Sequence, residues 1–299
     1  MRKSLLLTAV LAALASSQVV RAEEAAAPAA AAETPTWTFP SSISFVSDYI
    51  WRGQTQTWGN PAAQFGIEAD HKSGFYAGFW ASNVSSHWLP NANVETDWSV
   101  GFRNTFLNDF KYDVGAVYIW YPDGDFNKAS AALNAGTPYA KSKLNTAEIY
   151  GSLGWKWFTV KAGANPTKFY GWNTNNSGSV PGDVNATGFA GDTNAGVTGD
   201  TKWSHYFMGS VSYDLPQGFN VAGEIGRQVI EESKGLDWTW YKVGVTKNFE
   251  GTLAGWSVNA FYTGTTGSDA YKGFHSFDAP TDHKDIDSKK VVVGITKAF

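Results

Sequence analysis

From residue 41 onward, apolar and polar residues alternate with a period of two along most of the chain. The clearest stretch runs from Val94 to Phe106, where Trp98 and Val100 share one parity while Glu95 and Asp97 share the other. Such alternation predicts β-strands with one apolar and one polar face. Each predicted strand has about the 9–11 residues that a tilted membrane-crossing strand needs. We place twelve strands, at residues 42–53, 62–71, 75–84, 94–106, 112–121, 146–155, 158–165, 203–214, 219–228, 238–248, 256–264 and 288–299.

The connections between these strands alternate in length without a break. The short ones follow the even-numbered strands, and the long ones, such as 122–145, 166–202 and 265–287, follow the odd-numbered strands. This alternation predicts an all-β, transmembrane, up-and-down antiparallel barrel with short periplasmic turns and long extracellular loops. Because a bilayer core does not tolerate an open sheet edge, the last strand, 288–299, should pair with the first, 42–53.

The N-terminal region predicts export. Residues 1–22 read as a secretory signal peptide, with Arg2 and Lys3 before an apolar core at 5–15 and small residues at Val20 and Ala22. That core is too short to span a bilayer. Residues 23–40, rich in alanine and proline, are interpreted as a periplasmic linker. The barrel domain is then 41–299, and the predicted location is the outer membrane of a Gram-negative bacterium.

Composition narrows the function. The predicted mature chain keeps 20 of the 23 basic residues against 27 acidic ones, a net charge of −7, which argues against nucleic-acid binding. The chain has no cysteine but has 14 tryptophans and 13 tyrosines, an excess that two interfacial aromatic girdles would explain. The girdle at the long-loop end is predicted to contain Trp51, Trp120, Tyr121, Trp203, Trp238, Trp240 and Tyr262. A sugar-binding aromatic track is the alternative, with Tyr150 and Tyr206 as the inward candidates.

Charged residues recur at the polar parity of the strands and are the candidate pore lining. One interpretation is a network of ion pairs that fills the interior, and the other is a charged pore that selects solutes by sign. Because acidic residues predominate, the pore is expected to prefer cations weakly. The predicted pore-lining residues are Asp48, Arg52, Glu68, Asp70, Glu95, Asp97, Arg103, Glu148, Lys161 and Glu224, with Asp214, Lys242 and Lys290 on the same face.

The block 41–84 carries a family resemblance. It contains Val46–Tyr49, then Trp51-Arg52-Gly53, then Gln56-Thr57 and Gly59–Pro61, and later the run from Ser73 to Asn83. These elements, in this order, resemble the opening of the TorF-type porin family, a conserved proteobacterial family of unknown function. The resemblance implies an outer-membrane barrel that acts as a channel, and it assigns no solute. The long loops at 122–145 and 166–202 depart from the family pattern.

We therefore predict a channel for passive diffusion of small polar solutes or ions through a narrow charged lumen. The alternative is a plugged structural or adhesion barrel whose extracellular loops make the contacts. Catalysis is not expected, since His205, the candidate partner of a serine, has outward parity. No cofactor or metal is predicted. The expected partners are outer-membrane lipid, the solutes or ions, and the barrel-assembly machinery through Phe299.

Overall fold

The computed structural model describes residues 35–107, 109–129, 143–178, 189–279 and 281–299. The predicted signal peptide and most of the predicted linker lie outside the described residues. Among the residues described, no helix combines the length and the apolar character needed to cross a membrane.

Twelve strands form a closed antiparallel barrel, as predicted. Each strand pairs with the next along the chain, and the last pairs with the first through Gly294 opposite Val46 and Ala298 opposite Ser42. The strands are β1 Ser41–Val46, β2 Ala62–His71, β3 Phe75–Asn83, β4 Val94–Phe106, β5 Phe110–Trp120, β6 Thr146–Trp155, β7 Phe158–Ala164, β8 His205–Leu215, β9 Phe219–Val229, β10 Trp238–Asn248, β11 Trp256–Thr266 and β12 Lys290–Ala298.

The first strand differs most from the prediction. It leaves the barrel wall after Val46 instead of continuing to residue 53. At its other end, Trp37–Thr38, within the predicted linker, pair with Asp70 and His71 of β2. These pairs keep the register in which Ser41 lies opposite Ile67. The first strand is thus interrupted at Pro40, whose carbonyl still accepts a hydrogen bond from Glu68 N at 3.0 Å.

The two faces of the wall differ sharply in chemistry. Outward positions are apolar and exposed, as in Val100, Ile225 and Val293, which are 59, 60 and 53% exposed. Inward positions alternate with them and are mostly polar, charged or glycine. Since exposed apolar area of this extent is unfavourable in water, the outer surface suits a hydrocarbon environment.

The connections follow the predicted alternation of lengths. Short turns join β2 to β3, β4 to β5, β6 to β7, β8 to β9 and β10 to β11, and long loops join the other neighbours. In the part of the chain that the structure describes, the long loops contain three small ladders, Ile50–Trp51 with Gln54–Thr55, Gly196–Val197 with Ser233–Lys234 and Phe274–His275 with His283–Lys284. Short 3-10 turns lie at Phe126–Lys128, Phe169–Gly171, Pro216–Gly218 and Gly251–Leu253.

Candidate functional site in the barrel interior

Residues 47–61, here called the inner loop, fold into the barrel instead of projecting from it. Ile50–Trp51 pairs with Gln54–Thr55, and Arg52 and Gly53 form the two-residue turn between them. Both turn residues have positive φ, 45° and 84°, which is the pattern of a type I′ hairpin. A Cβ on Gly53 would lie 2.6 Å from Thr265 Cγ2. Glycine therefore lets the tip of the hairpin approach the wall at β11.

Arg52 joins the tip of the inner loop to the far side of the barrel. Its Nη2 donates to Glu148 Oε2 at 2.8 Å, and its Nη1 donates to Gln228 Oε1 at 2.5 Å. The guanidinium lies 3.7 Å from the centre of the Tyr206 ring. The Arg52 carbonyl in turn accepts from Trp238 Nε1 at 2.8 Å. These partners belong to β6, β8, β9 and β10, whereas β1 and β2 flank the inner loop, so the loop crosses the interior.

The base of the inner loop is held by a second set of bonds. Asp48 accepts hydrogen bonds from Thr55 Oγ1 at 2.6 Å and Thr57 Oγ1 at 2.9 Å, and it pairs with Lys290 Nζ at 3.0 Å. Tyr49 donates its hydroxyl to Glu95 Oε1 at 2.7 Å. Asp48 and Arg52 thus lie inside the barrel, and they reach it from a loop and not from a strand.

A separate charged cluster lies nearer the short turns. Arg103 pairs with Glu68 and Asp70, and its guanidinium lies 4.3 Å from the centre of the Tyr76 ring. The Tyr76 hydroxyl donates to Asp113 Oδ1 at 2.8 Å and meets the Tyr150 hydroxyl at 2.5 Å. This arrangement is the ion-pair network that the sequence pattern allowed.

The remaining predicted residues border two cavities on either side of the inner loop tip. Lys161 lines both, with its Nζ 3.9 Å from the centre of the Tyr150 ring. Asp97 faces the cavity on the β2–β7 side. Glu224 faces the other cavity and accepts from Trp240 Nε1 at 2.6 Å. All ten predicted residues are therefore interior, and their role as pore lining stays a prediction.

The long-loop end of the barrel is covered by packed aromatic side chains, which we call the aromatic cap. Trp88 and Phe274 rings lie 4.7 Å apart, and Trp238 and Tyr271 rings lie 5.4 Å apart. The side chains of Tyr271 and Phe274 are completely buried. The members are Trp51, Trp88, Tyr121, Phe126, Phe169, Tyr170, Trp172, Phe189, Trp238, Tyr271, Phe274 and Phe277. A hydrophobic core thus lies above the tip of the inner loop.

Two of the loops that form the cap are also joined by polar contacts. His87 Nδ1 lies 2.5 Å from Asp278 Oδ1, Ser86 donates to the same carboxylate, and Phe277 N donates to the His87 carbonyl at 3.0 Å. Burial raises the pKa of Asp278, but the hydrogen bonds from Ser86 and Ser276 and the nearby His87 outweigh burial and hold that pKa below its ordinary value.

Several aromatic residues lie elsewhere than predicted. Trp51, Tyr121, Trp238 and Trp240 are buried inside and do not belong to the girdle at the long-loop end. Trp120, Trp203 and Tyr262 are exposed on the outside, as a girdle requires. Inward aromatic residues are also more numerous than the two that were predicted, and they are Tyr76, Trp80, Tyr150, Tyr206, Trp238, Trp240 and Phe261.

For some of these missed residues, the alternation along the strand already indicated an inward position. Trp238 and Trp240 share a face with Lys242, which the pattern already assigned to the interior. Asp113 and Lys111 share one face of β5 and would have oriented that strand, whose remaining residues are mostly apolar on both faces. Tyr49 and Gln54 had no such signal, because their burial depends on the fold of the inner loop.

Comparisons with known proteins identify a family and distant structural neighbours. The family model described as a bacterial protein of unknown function (Gcw_chp) matches residues 29–299. No curated protein matches the chain. The KdgM porin is 7% identical with a TM-score of 0.45, covering 87% of this chain and 99% of that chain. The NanC porin is 8% identical with a TM-score of 0.46, covering 87% and 99%. Acinetobacter baumannii OccAB3 is 10% identical with a TM-score of 0.38, covering 89% and 65%.

Proposed function

The chain belongs to the Gcw_chp family of bacterial proteins of unknown function, and we propose that it is an outer-membrane channel for small polar solutes or ions. The observation that carries the proposal is a closed barrel with an apolar exterior and a charged interior. Lipid contacts the exterior in this proposal, the short turns face the periplasm and the long loops face outward. The resemblance of the block 41–84 to TorF-type porins supports the same function.

The passage is narrow. Barrels of about 16–18 strands leave a wide aqueous channel, and a barrel of twelve strands encloses much less space. The inner loop narrows it further, because Arg52 reaches strands on the opposite wall. The cavity on the β2–β7 side has a volume of about 50 Å³, enough for a few water molecules. Ions and small solutes are therefore the expected cargo.

The predominance of acidic interior residues sets the expected sign of selectivity. Arg103 is shared between two carboxylates, Glu68 and Asp70. Glu95 accepts its hydrogen bonds from the neutral hydroxyls of Tyr49 and Tyr121. Because these clusters contain more carboxyl groups than basic groups, the channel should favour cations weakly.

A specific observation also favours the second candidate, a sealed barrel that acts as a structural or adhesion protein. The aromatic cap buries its members as tightly as a protein core, and the inner loop lies directly beneath it. In that case the outer surfaces of the loops would make the contacts, and no solute would pass.

Planar-bilayer recording of the purified, refolded protein separates the two candidates. The proposed channel gives discrete current steps in potassium chloride and a reversal potential of cation sign across a salt gradient. A heat-denatured sample of the same preparation serves as the control for detergent leakage. Folded barrels that give no current, together with no swelling of liposomes in small sugars or amino acids, would support the sealed barrel. A reversal potential of anion sign would overturn the proposed selectivity.

The proposed contact with the barrel-assembly machinery involves Phe299. Phe299 is 64% exposed, and its N–H donates to the Ser41 carbonyl at 2.9 Å. Its aromatic ring is therefore presented outward at the seam between β12 and β1. Recognition of Phe299 by the assembly machinery is part of this proposal, and loss of membrane insertion in a Phe299→Ala variant would support it.

A further inference from the structure

Two outward lysines at the short-turn end of the barrel lie over aromatic rings. Lys247 Nζ is 4.7 Å from the centre of the Phe219 ring, and Lys297 Nζ is 5.6 Å from the centre of the Phe299 ring. Both rings are exposed on the outer surface. The aliphatic part of each lysine therefore covers apolar surface, and its ammonium is held at the level of the aromatic girdle.

Each ammonium is also fixed by a carbonyl of a short turn. Lys247 Nζ donates to the Gln217 carbonyl, in the turn between β8 and β9. Lys297 Nζ donates to the Ala254 carbonyl at 2.8 Å, in the turn between β10 and β11. Because an ammonium has three N–H donors, one carbonyl leaves donors that face the surroundings.

The two rims of the outer wall differ in counter-charge. At the long-loop end, the outward base of β9, Arg227, pairs with Asp237 at 3.2 Å. At the short-turn end, the outward bases of β10 and β12 are Lys247 and Lys297, and no carboxylate oxygen of the described residues lies within 4 Å of either ammonium. The counter-charge for these two lysines therefore comes from outside the described chain.

The strand register places both lysines beside β11 at the same rim. Lys247 lies opposite Val258 on one side of β11, and Lys297 lies opposite Trp256 on the other side. Two strand spacings separate β10 from β12, which is about 10 Å. The outward Trp256 lies on the strand between them, so the two ammonium groups flank a single interfacial patch, here called the lysine patch.

We propose that the lysine patch, Lys247 and Lys297 with Trp256 between them, binds the phosphate of an anionic phospholipid in the periplasmic leaflet. This inference rests on the outer-membrane location and orientation of the proposed function. The short-turn end then lies at the headgroup level of that leaflet, where the lipid phosphate supplies the counter-charge. Each lysine near an anionic lipid surface should strengthen association about five-fold.

Native mass spectrometry of the full-length, refolded barrel measures this binding. The barrel is released from micelles that contain equal amounts of phosphatidylglycerol and phosphatidylcholine with matched acyl chains, so that headgroup charge is the difference between the lipids. We expect phosphatidylglycerol to be retained at least about five-fold over phosphatidylcholine. Equal retention of the two lipids would overturn the proposal. Displacement of the lipid by glycerol 3-phosphate would also overturn it, because a soluble phosphate would then be sufficient as the ligand.

Variants assign the preference to the lysine patch. Lys247→Met with Lys297→Met removes both charges and keeps the aliphatic length, so the retention of phosphatidylglycerol should fall to that of phosphatidylcholine. Lys247→Arg with Lys297→Arg should keep the preference, and Arg227→Met, at the other rim, should leave it unchanged. A preference that persists in the methionine double variant would overturn the site. A barrel that retains phosphatidylglycerol but passes no current refutes the channel alone, and a conducting barrel without lipid preference refutes the lysine patch alone.

Discussion

Arg52 is the residue whose replacement tests the interior most directly. In an Arg52→Met variant, Glu148 keeps the Tyr206 hydroxyl at 2.9 Å but loses its ion pair. The side chains of the pair are only 6% and 7% exposed. Breaking a buried pair by removing one partner costs about 3–5 kcal/mol, because an uncompensated charge remains. The lost contact with the Tyr206 ring adds about 1 kcal/mol, so we expect the free energy of unfolding to fall by about 4–6 kcal/mol.

The assay is urea unfolding of the barrel in lipid vesicles, followed by tryptophan fluorescence. Arg227→Met is the matched control, because its pair with Asp237 at 3.2 Å leaves the arginine side chain 53% exposed. Exposed pairs of this kind contribute about 0–1 kcal/mol. An Arg52→Met, Glu148→Met double variant should recover part of the loss, since it leaves no unpaired charge.

The same variant should change conduction. Without its partners on the opposite wall, the tip of the inner loop is released, and single-channel conductance in planar bilayers should rise above that of the wild type. The reasoning is refuted if Arg52→Met unfolds within about 1 kcal/mol of the wild type. It is refuted equally if the loss of unfolding free energy in the double variant equals the sum of the losses in Arg52→Met and Glu148→Met. The ion pair would then contribute no coupling free energy.

Three further predictions concern the cap, the loops and the seam. Phe274→Ala, which opens the aromatic cap, should destabilise it by about 3–5 kcal/mol and speed proteolysis of the long loops. The pKa of Asp278 in the folded protein lies below its ordinary 3.8. The ionised carboxylate therefore stabilises the contact between the two loops fully above about pH 4, and this stabilisation is lost at lower pH. In an Asp278→Asn variant, the protection of the loop amides from hydrogen exchange should therefore no longer depend on pH across that range. Ser44→Cys with Thr296→Cys, opposite in register, should cross-link β1 to β12, whereas Ser44→Cys with Gly294→Cys should not.

Most of the wall could be predicted because it obeys one simple rule. A strand between lipid and an interior must alternate along its whole length, so period two fixes both its extent and its inward residues. Strands β2, β4, β6 and β10 have the predicted bounds. Glu68, Glu95 and Arg103 face inward for the same reason.

The inner loop could not be predicted by this rule, because the alternation continues past the point where the chain leaves the wall. Asp48 and Arg52 keep the inward parity of β1, as they would in a longer strand, although Ile50 between them is apolar. A local signal was present in Arg52-Gly53, since glycine readily adopts the positive φ that a tight hairpin turn requires. The direction of the turn, however, depends on Glu148 and Gln228, whose distance in the sequence gives no indication of contact.

The aromatic residues show a different limit of prediction from sequence. Composition gives their number but does not say which of them face outward and which face the interior. Interfacial girdles and a buried cap both require many tryptophans and tyrosines, and this chain has both. Trp203 and Trp238 lie at the same end of the barrel, yet one is 56% exposed and the other 1%. Only the parity of each strand and the packing of the loops separate them. The aromatic excess therefore indicates how firmly the long-loop end is closed as much as it indicates a membrane, and conductance must decide between an entrance and a seal.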